Sequence, residues 1–424
     1  MRKFLLFVFL VVLVIALIYK SPFSALYNYN KAKDLYQQGQ YEQSLPYFEK
    51  SLFADSKGFL TRFFYVMALS KAEPKYSVQK KLYEMSESKI DDEASRYAKV
   101  QVRRLRYKLL GGLEFNYIHN ALMGNDILRW DIKSFPLRVY FENPESVPRY
   151  YIDSIEKAMM LWSNSTNFVK FTRVDDKNNS DIYIKFKDNK KECEGEQCRF
   201  VTAYTEPNIS DKVLKQMTLT FYKTNPLNKG FTQGEIYNTA LHELGHTLGI
   251  MGHSDNPRDL MFSMSDSANN KYYPFAQSMS KRDLQTLVLL YRLKPTISNV
   301  KGLEGESFYY PQLIIGNDDV RLQKKLEEYK SYINEYPEMA SGYVNLASIY
   351  GDMGDFESVL QTLDKAETYA QTVDEKYIVN YNRAVTYYNL QQYEKAINFA
   401  KVAQAFKDEQ SIRDLINDIL EAKD

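Results

Sequence analysis

The chain contains four histidines, and three of them, His242, His246 and His253, fall within twelve residues in the run His-Glu-Leu-Gly-His-Thr-Leu-Gly-Ile-Met-Gly-His. Packing alone does not account for that clustering. Positions four apart share one face of a helix, so His242 and His246 can present two imidazole nitrogens to one metal ion, and nitrogen ligands suit zinc. Glu243 stands beside the pair, where a carboxylate can hold a water and remove its proton as that water attacks a peptide carbonyl, the work of a general base. Gly249, three residues after His246, can take a positive φ, end the helix and turn the chain back. His253 is then the third ligand, with Asp255 as its fallback and a distant glutamate as a further alternative. Three neutral imidazoles leave a fourth position open for water, the arrangement of a catalytic zinc site and not of a structural one. One zinc ion there would lower the pKa of that water toward neutrality and polarise the substrate carbonyl.

The elements that must position these residues are legible on either side. Thr232 can cap a helix running to about residue 250. Upstream, residues 137–141 and 168–174 read as strands, and 181–186 alternates apolar and polar residues, as 200–205 and 217–222 do more loosely. Residues 149–163 form an amphipathic pattern, and 280–293 reads as a last helix. The pattern over residues 128–293 predicts an α+β domain, a mixed twisted sheet with helices packed on it.

Several of these features together resemble the metzincin zinc peptidases, and the matrixin-like members in particular, over residues 128–293. The histidine run is one. Leu260-Met261-Phe262 is similar to the turn that sets a methionine beneath the metal, which makes Met261 the structural Met-turn residue: an apolar floor for the imidazoles and not a ligand. The stretch from Met279 to Tyr291 is similar to the closing helix, and Arg129-Trp130, Ala158 to Trp162 and Ser180-Asp181-Ile182 echo the opening strand, first helix and third strand. The resemblance implies a zincin-like fold with an active-site helix. It also implies one catalytic zinc on His242, His246 and His253, Glu243 as base, and substrate extended along an edge strand at 200–205. The sequence departs from the family pattern at one place: the family's third histidine position holds Gly252, and His253 follows one residue later, an expansion the backbone of a glycine-rich turn can absorb. Tyr272 and Tyr273 follow the Met-turn at a spacing unlike that of the family's oxyanion tyrosine. Calcium, which matrixin-like domains often carry, has only the loose cluster of Asp175, Asp176, Asn178, Asn179 and Asp181, explained equally well by a solvated loop.

The flanks are different in kind. Residues 27–110 are helical in pattern, and Ala32, Gly39, Tyr41, Ser44, Phe48 and Ser51 resemble a tetratricopeptide repeat, with small residues where paired helices approach and Gly39 at the turn. Over 320–424 the pattern returns around Ala347, Tyr350, Gly354, Phe356, Leu363 and Ala366, then around Ala384, Tyr387, Tyr393, Ala396 and Ala403. Phe356 and Tyr393 are 37 residues apart, near the usual repeat of about 34. All-α repeats of this kind usually bind peptides or proteins. At the N-terminus, Arg2 and Lys3 precede an apolar run from Phe4 to Tyr19. Residues 1–26 are read as a signal anchor or transmembrane helix that leaves the catalytic domain extracytoplasmic, a cleaved secretory signal being the alternative. In an oxidising compartment Cys193 and Cys198, the only cysteines, could close a small disulfide loop around Gly195.

A chain of 424 residues accommodates two or three domains. Its 55 basic residues balance 54 acidic ones, so no single-sign field attracts nucleic acid. The expected function is a membrane-anchored zinc endopeptidase acting on proteins or peptides, whose repeats recruit substrate or a protein partner. The alternative is an extracytoplasmic repeat scaffold with residual or no proteolysis.

Overall fold

The computed structural model describes residues 21–188, 193–194, 197–198, 202–211, 213–225, 228–263, 278–297, 309–315 and 319–423. Most of the anchor expected at 1–26 lies outside them. Among the described residues, no helix is long and apolar enough to cross a membrane.

Among the described residues, five helices come first: α1 (Pro22–Gln37), α2 (Tyr41–Ala54), α3 (Phe59–Lys71), α4 (Tyr76–Ser86) and α5 (Glu93–Leu110). A mixed segment follows, with strands β1 (Leu137–Phe141), β2 (Phe171–Arg173), β3 (Ile182–Lys187), β4 (Cys193–Glu194), β5 (Gln197–Cys198), β6 (Ala203–Ser210) and β7 (Val213–Tyr222). Its longer helices are α6 (Arg149–Ser165), α7 (Gln233–Thr247) and α8 (Lys281–Arg292). Six more helices end the chain: α9 (Asp319–Glu335), α10 (Ala340–Met353), α11 (Phe356–Tyr369), α12 (Val373–Asn389), α13 (Tyr393–Phe406) and α14 (Gln410–Lys423). These elements fall into two compact units, one combining residues up to 111 with 312–314 and 320–424, the other holding 112–311 and 315–319.

In the helical unit, segments more than 200 residues apart in sequence build one core. Phe63, Phe64, Tyr97 and Ala98 from the N-terminal helices join Tyr377, Ala384, Tyr388, Ala396 and Ile412 from the C-terminal ones in a single buried cluster. The rings of Tyr97 and Tyr388 lie 5.6 Å apart. Tyr388 donates to Glu93 at 2.9 Å, Gln101 Nε2 to the Asn389 carbonyl at 2.9 Å, and Tyr107 to Asp355 at 2.8 Å. The small residues expected at helix crossings are buried: Ala32, Ser44, Ser51, Ala347, Ala366, Ala384, Ala396 and Ala403.

In the other unit a five-stranded sheet has the order β2-β1-β3-β7-β6. All neighbours are parallel except β6, which runs antiparallel to β7 at one edge. Met217, Leu219 and Phe221 alternate along β7 and are fully buried, the period of a strand with one face on a core. On α6, Tyr151, Ile152, Ile155, Ala158, Met159 and Trp162 form the buried stripe. Trp162 Nε1 donates to the Leu241 carbonyl of α7 at 3.0 Å, which fixes the two helices against each other. The substrate strand expected at 200–205 is described from Ala203 and continues to Ser210, and the strand expected at 168–174 narrows to Phe171–Arg173. Backbone register sets Cys193 directly opposite Cys198.

The shared core gives a testable consequence. Tyr388→Ala should destabilise the helical unit by about 3 kcal/mol, and deletion of 320–424 should make residues 22–110 sensitive to limited proteolysis. N-terminal helices that stay protease-resistant after that deletion would contradict the single core.

Candidate metal centre

Helix α7 begins where Thr232 accepts from Glu235 N while Glu235 accepts from Thr232 N, a reciprocal capping box. It ends at Thr247, three residues before the point expected from sequence, because Gly249 takes φ +104° and redirects the chain. A side chain at Gly249 would also collide with the Leu128 carbonyl. The capped helix sets His242 and His246 one turn apart. Their rings lie 4.9 Å apart, and the ring of His253 lies 5.3 Å from the first and 5.1 Å from the second. Each histidine brings one ligand atom to within 4.8 Å of the others, a group able to hold a metal ion.

Two main-chain carbonyls orient the rings. His242 Nδ1 faces the Leu260 oxygen at 2.9 Å, and His246 Nδ1 the Ile250 oxygen at 2.5 Å. A carbonyl only accepts, so each Nδ1 carries the proton and each Nε2 keeps a lone pair for an ion. Burial, reinforced by the neighbouring His246 and His253, pushes His242 down to about 3 against the pull of the Leu260 carbonyl. Burial lowers His246 as well, opposed by the Ile250 carbonyl. Neutral imidazole is the form that ligates, so this donor set fits zinc.

Glu243 is buried beside them. Burial pushes its carboxyl up to about 7, and a hydrogen bond from the Thr205 hydroxyl to Oε2 at 2.7 Å pulls the other way. Thr205 lies on the edge strand β6, within the stretch expected to bind substrate, although its contact with Glu243 had no signal in the sequence.

The expanded turn before His253 has a steric cause. Gly252, at the family's third-histidine position, lies so close to the Asn120 carbonyl that a Cβ there would overlap its oxygen. Met251 N donates to the Ala121 carbonyl at 2.8 Å. With 252 pressed against residues 120–122, the next residue, His253, supplies the ring. Asp255, the fallback ligand, is instead paired with Arg282 at 2.9 Å.

Beyond the turn, Ser254 N donates to the Met261 carbonyl at 2.8 Å, and the Ser254 hydroxyl to Asp259 at 2.5 Å. Asp259 also accepts from Arg282 and from Ser280. Met261 is fully buried beneath α7, where its sulfur occupies the space a Cβ on Gly245 would need. The Leu260–Met261 turn is hung from Asp283, a fully buried carboxylate that accepts from Leu260 N at 2.9 Å, Met261 N at 3.3 Å and Tyr117 Oη at 2.6 Å. Burial and that carboxylate hold the Tyr117 phenol well above its ordinary pKa, so it stays a donor. Sequence reasoning missed Asp283, Arg282 and the segment 116–123. Only Asp283 had a readable signal, the Ser280-x-x-Asp283 pattern that opens α8, and there it serves as capping partner too.

The family model for matrixin matches residues 129–292, and that for the tetratricopeptide repeat matches residues 340–372. The segment from 129 to 292 is matrixin-like. No curated protein matches the chain. The matrixin-like segment carries the whole histidine group and Met261, while Tyr117 and Asn120 lie before it. Tyr272 and Tyr273 fall outside the described residues. In the acidic cluster considered for calcium, Asp181 is paired with Arg138 at 2.7 Å, and Asp176 accepts from Asn178 N at a short turn.

Restoring the family's spacing should therefore fail. The double variant Gly252→His/His253→Gly is expected to bind zinc at least about a hundredfold more weakly than wild type in a chelator competition, beyond the usual cost of losing a supporting group. Affinity equal to wild type would show that position 252 can supply the ligand.

Proposed function

We propose that the matrixin-like segment is a zinc-dependent endopeptidase, with His242, His246 and His253 holding the ion through Nε2 and Glu243 acting as general base. The observation that carries this reading is the convergence of three imidazoles, two of them locked with Nε2 free, beside a buried carboxylate. When bound, the zinc ion polarises the scissile carbonyl and makes water acidic enough to attack near neutral pH. Glu243 takes the proton from the attacking water and returns it to the leaving amine. An extended peptide would be aligned by β6. Since Tyr222 N donates to the Thr202 carbonyl, register turns the main-chain polar groups of Ala203 and Thr205 away from β7, toward the β6 edge of the sheet, where a substrate strand would pair with them.

The tetratricopeptide repeat supports a role for the helical unit in recruiting a protein substrate or partner. The charged residues Arg2 and Lys3 and the apolar run after them support an anchor that leaves the catalytic segment extracytoplasmic.

The test is zinc content and hydrolysis of a quenched fluorescent peptide library by wild type and Glu243→Ala. One zinc per chain in both, with kcat/KM lower by roughly 10²- to 10⁴-fold in Glu243→Ala, is the expected result. A wild-type protein that binds no zinc and cleaves nothing would leave the repeat scaffold as the working function.

A further inference from the structure

Resting on that peptidase reading, we infer that Thr205 is a positioning residue that ties the substrate strand to the general base. Its hydroxyl lies 2.7 Å from Glu243 Oε2 and 3.3 Å from the Glu243 main-chain oxygen. A hydroxyl has one proton to give, and the shorter, charge-assisted contact takes it. Oε2 is thereby committed as an acceptor, and Oε1 is left to receive the proton of the attacking water. Without the hydroxyl, the carboxylate can rotate about its last torsion, which is broad and weakly held in glutamate.

The backbone of the same residue faces the other way in function. Thr205 pairs with Leu219 in register, at a position whose N–H and C=O point away from β7 and toward the β6 edge of the sheet. A peptide adding to that edge would bond to Thr205 through its main chain while the Thr205 side chain holds the base. A substrate in register and a base in register are thus set by one residue, and a shift of the edge strand moves both together.

This predicts a signature that packing alone does not give. In the full-length chain, Thr205→Val keeps the β-branched shape and loses the hydroxyl. It should lower kcat about ten- to hundredfold on a fixed peptide substrate while KM stays within about twofold. Thr205→Ser should recover most of that loss. In a Glu243→Gln background, Thr205→Val should cost nothing further, since the partner carboxylate is already gone. Zinc stoichiometry, read on every variant, should match wild type.

The proposal is overturned if Thr205→Val keeps wild-type kcat, if only KM rises, if Thr205→Ser is as impaired as Thr205→Val, if the effect persists undiminished in the Glu243→Gln background, or if zinc is lost. Failure of the underlying reading looks different: Glu243→Gln itself would then leave the wild-type rate unchanged, or wild type would show no hydrolysis, and the Thr205 assignment would fall with it.

Discussion

Two imidazole protons settled on two main-chain carbonyls are the constraint from which the rest of the site follows. Unless Leu260 and Ile250 offer their oxygens at the right places, His242 and His246 lose their fixed tautomer and their Nε2 atoms need not converge. Leu260 is in turn held through its own N–H by the fully buried Asp283. That carboxylate also caps α8, grips Met261 N and receives the Tyr117 phenol. A helix cap, the Leu260–Met261 turn and the orientation of His242 therefore share one carboxylate.

Legibility in the sequence tracked how local the physics is. The spacing of His242 and His246, the Thr232 cap and the helix-ending role of Gly249 all depend on residues within one or two turns, and they could be read directly. Met261 was expected beneath the histidines through resemblance, but the space its sulfur fills, left by the missing side chain at Gly245, is set by a contact between segments and has no local pattern. The position of the third histidine depends on the Asn120 carbonyl, more than 130 residues upstream and outside the matrixin match. Thr205 reaches Glu243 across the gap between a sheet edge and a helix. Pairings of that kind are set by the fold and not by any spacing along the chain.

The same limit applies to the flanks. Periodicity identifies a helix with a buried stripe, but it does not say what covers that stripe. Here the helices before the matrixin-like segment and those after it close on each other, with Phe63 and Tyr97 in one cluster with Tyr388 and Ala396. The matrixin-like segment is in effect inserted, in sequence, between two parts of one helical unit. Residues 320–424 accordingly belong to the folding of the N-terminal helices as much as to any recruitment of partners.

On the proposed reading, one zinc would sit on three imidazoles, the third from His253 and not from a carboxylate. X-ray absorption at the zinc edge of the metal-loaded full-length protein tests it most directly. The account predicts a first shell fitted by three imidazole nitrogens at about 2.0–2.1 Å plus one light oxygen. It further predicts that one imidazole disappears from the fit in His253→Ala. A wild-type shell of two imidazoles with carboxylate oxygens, unchanged in His253→Ala, would contradict it.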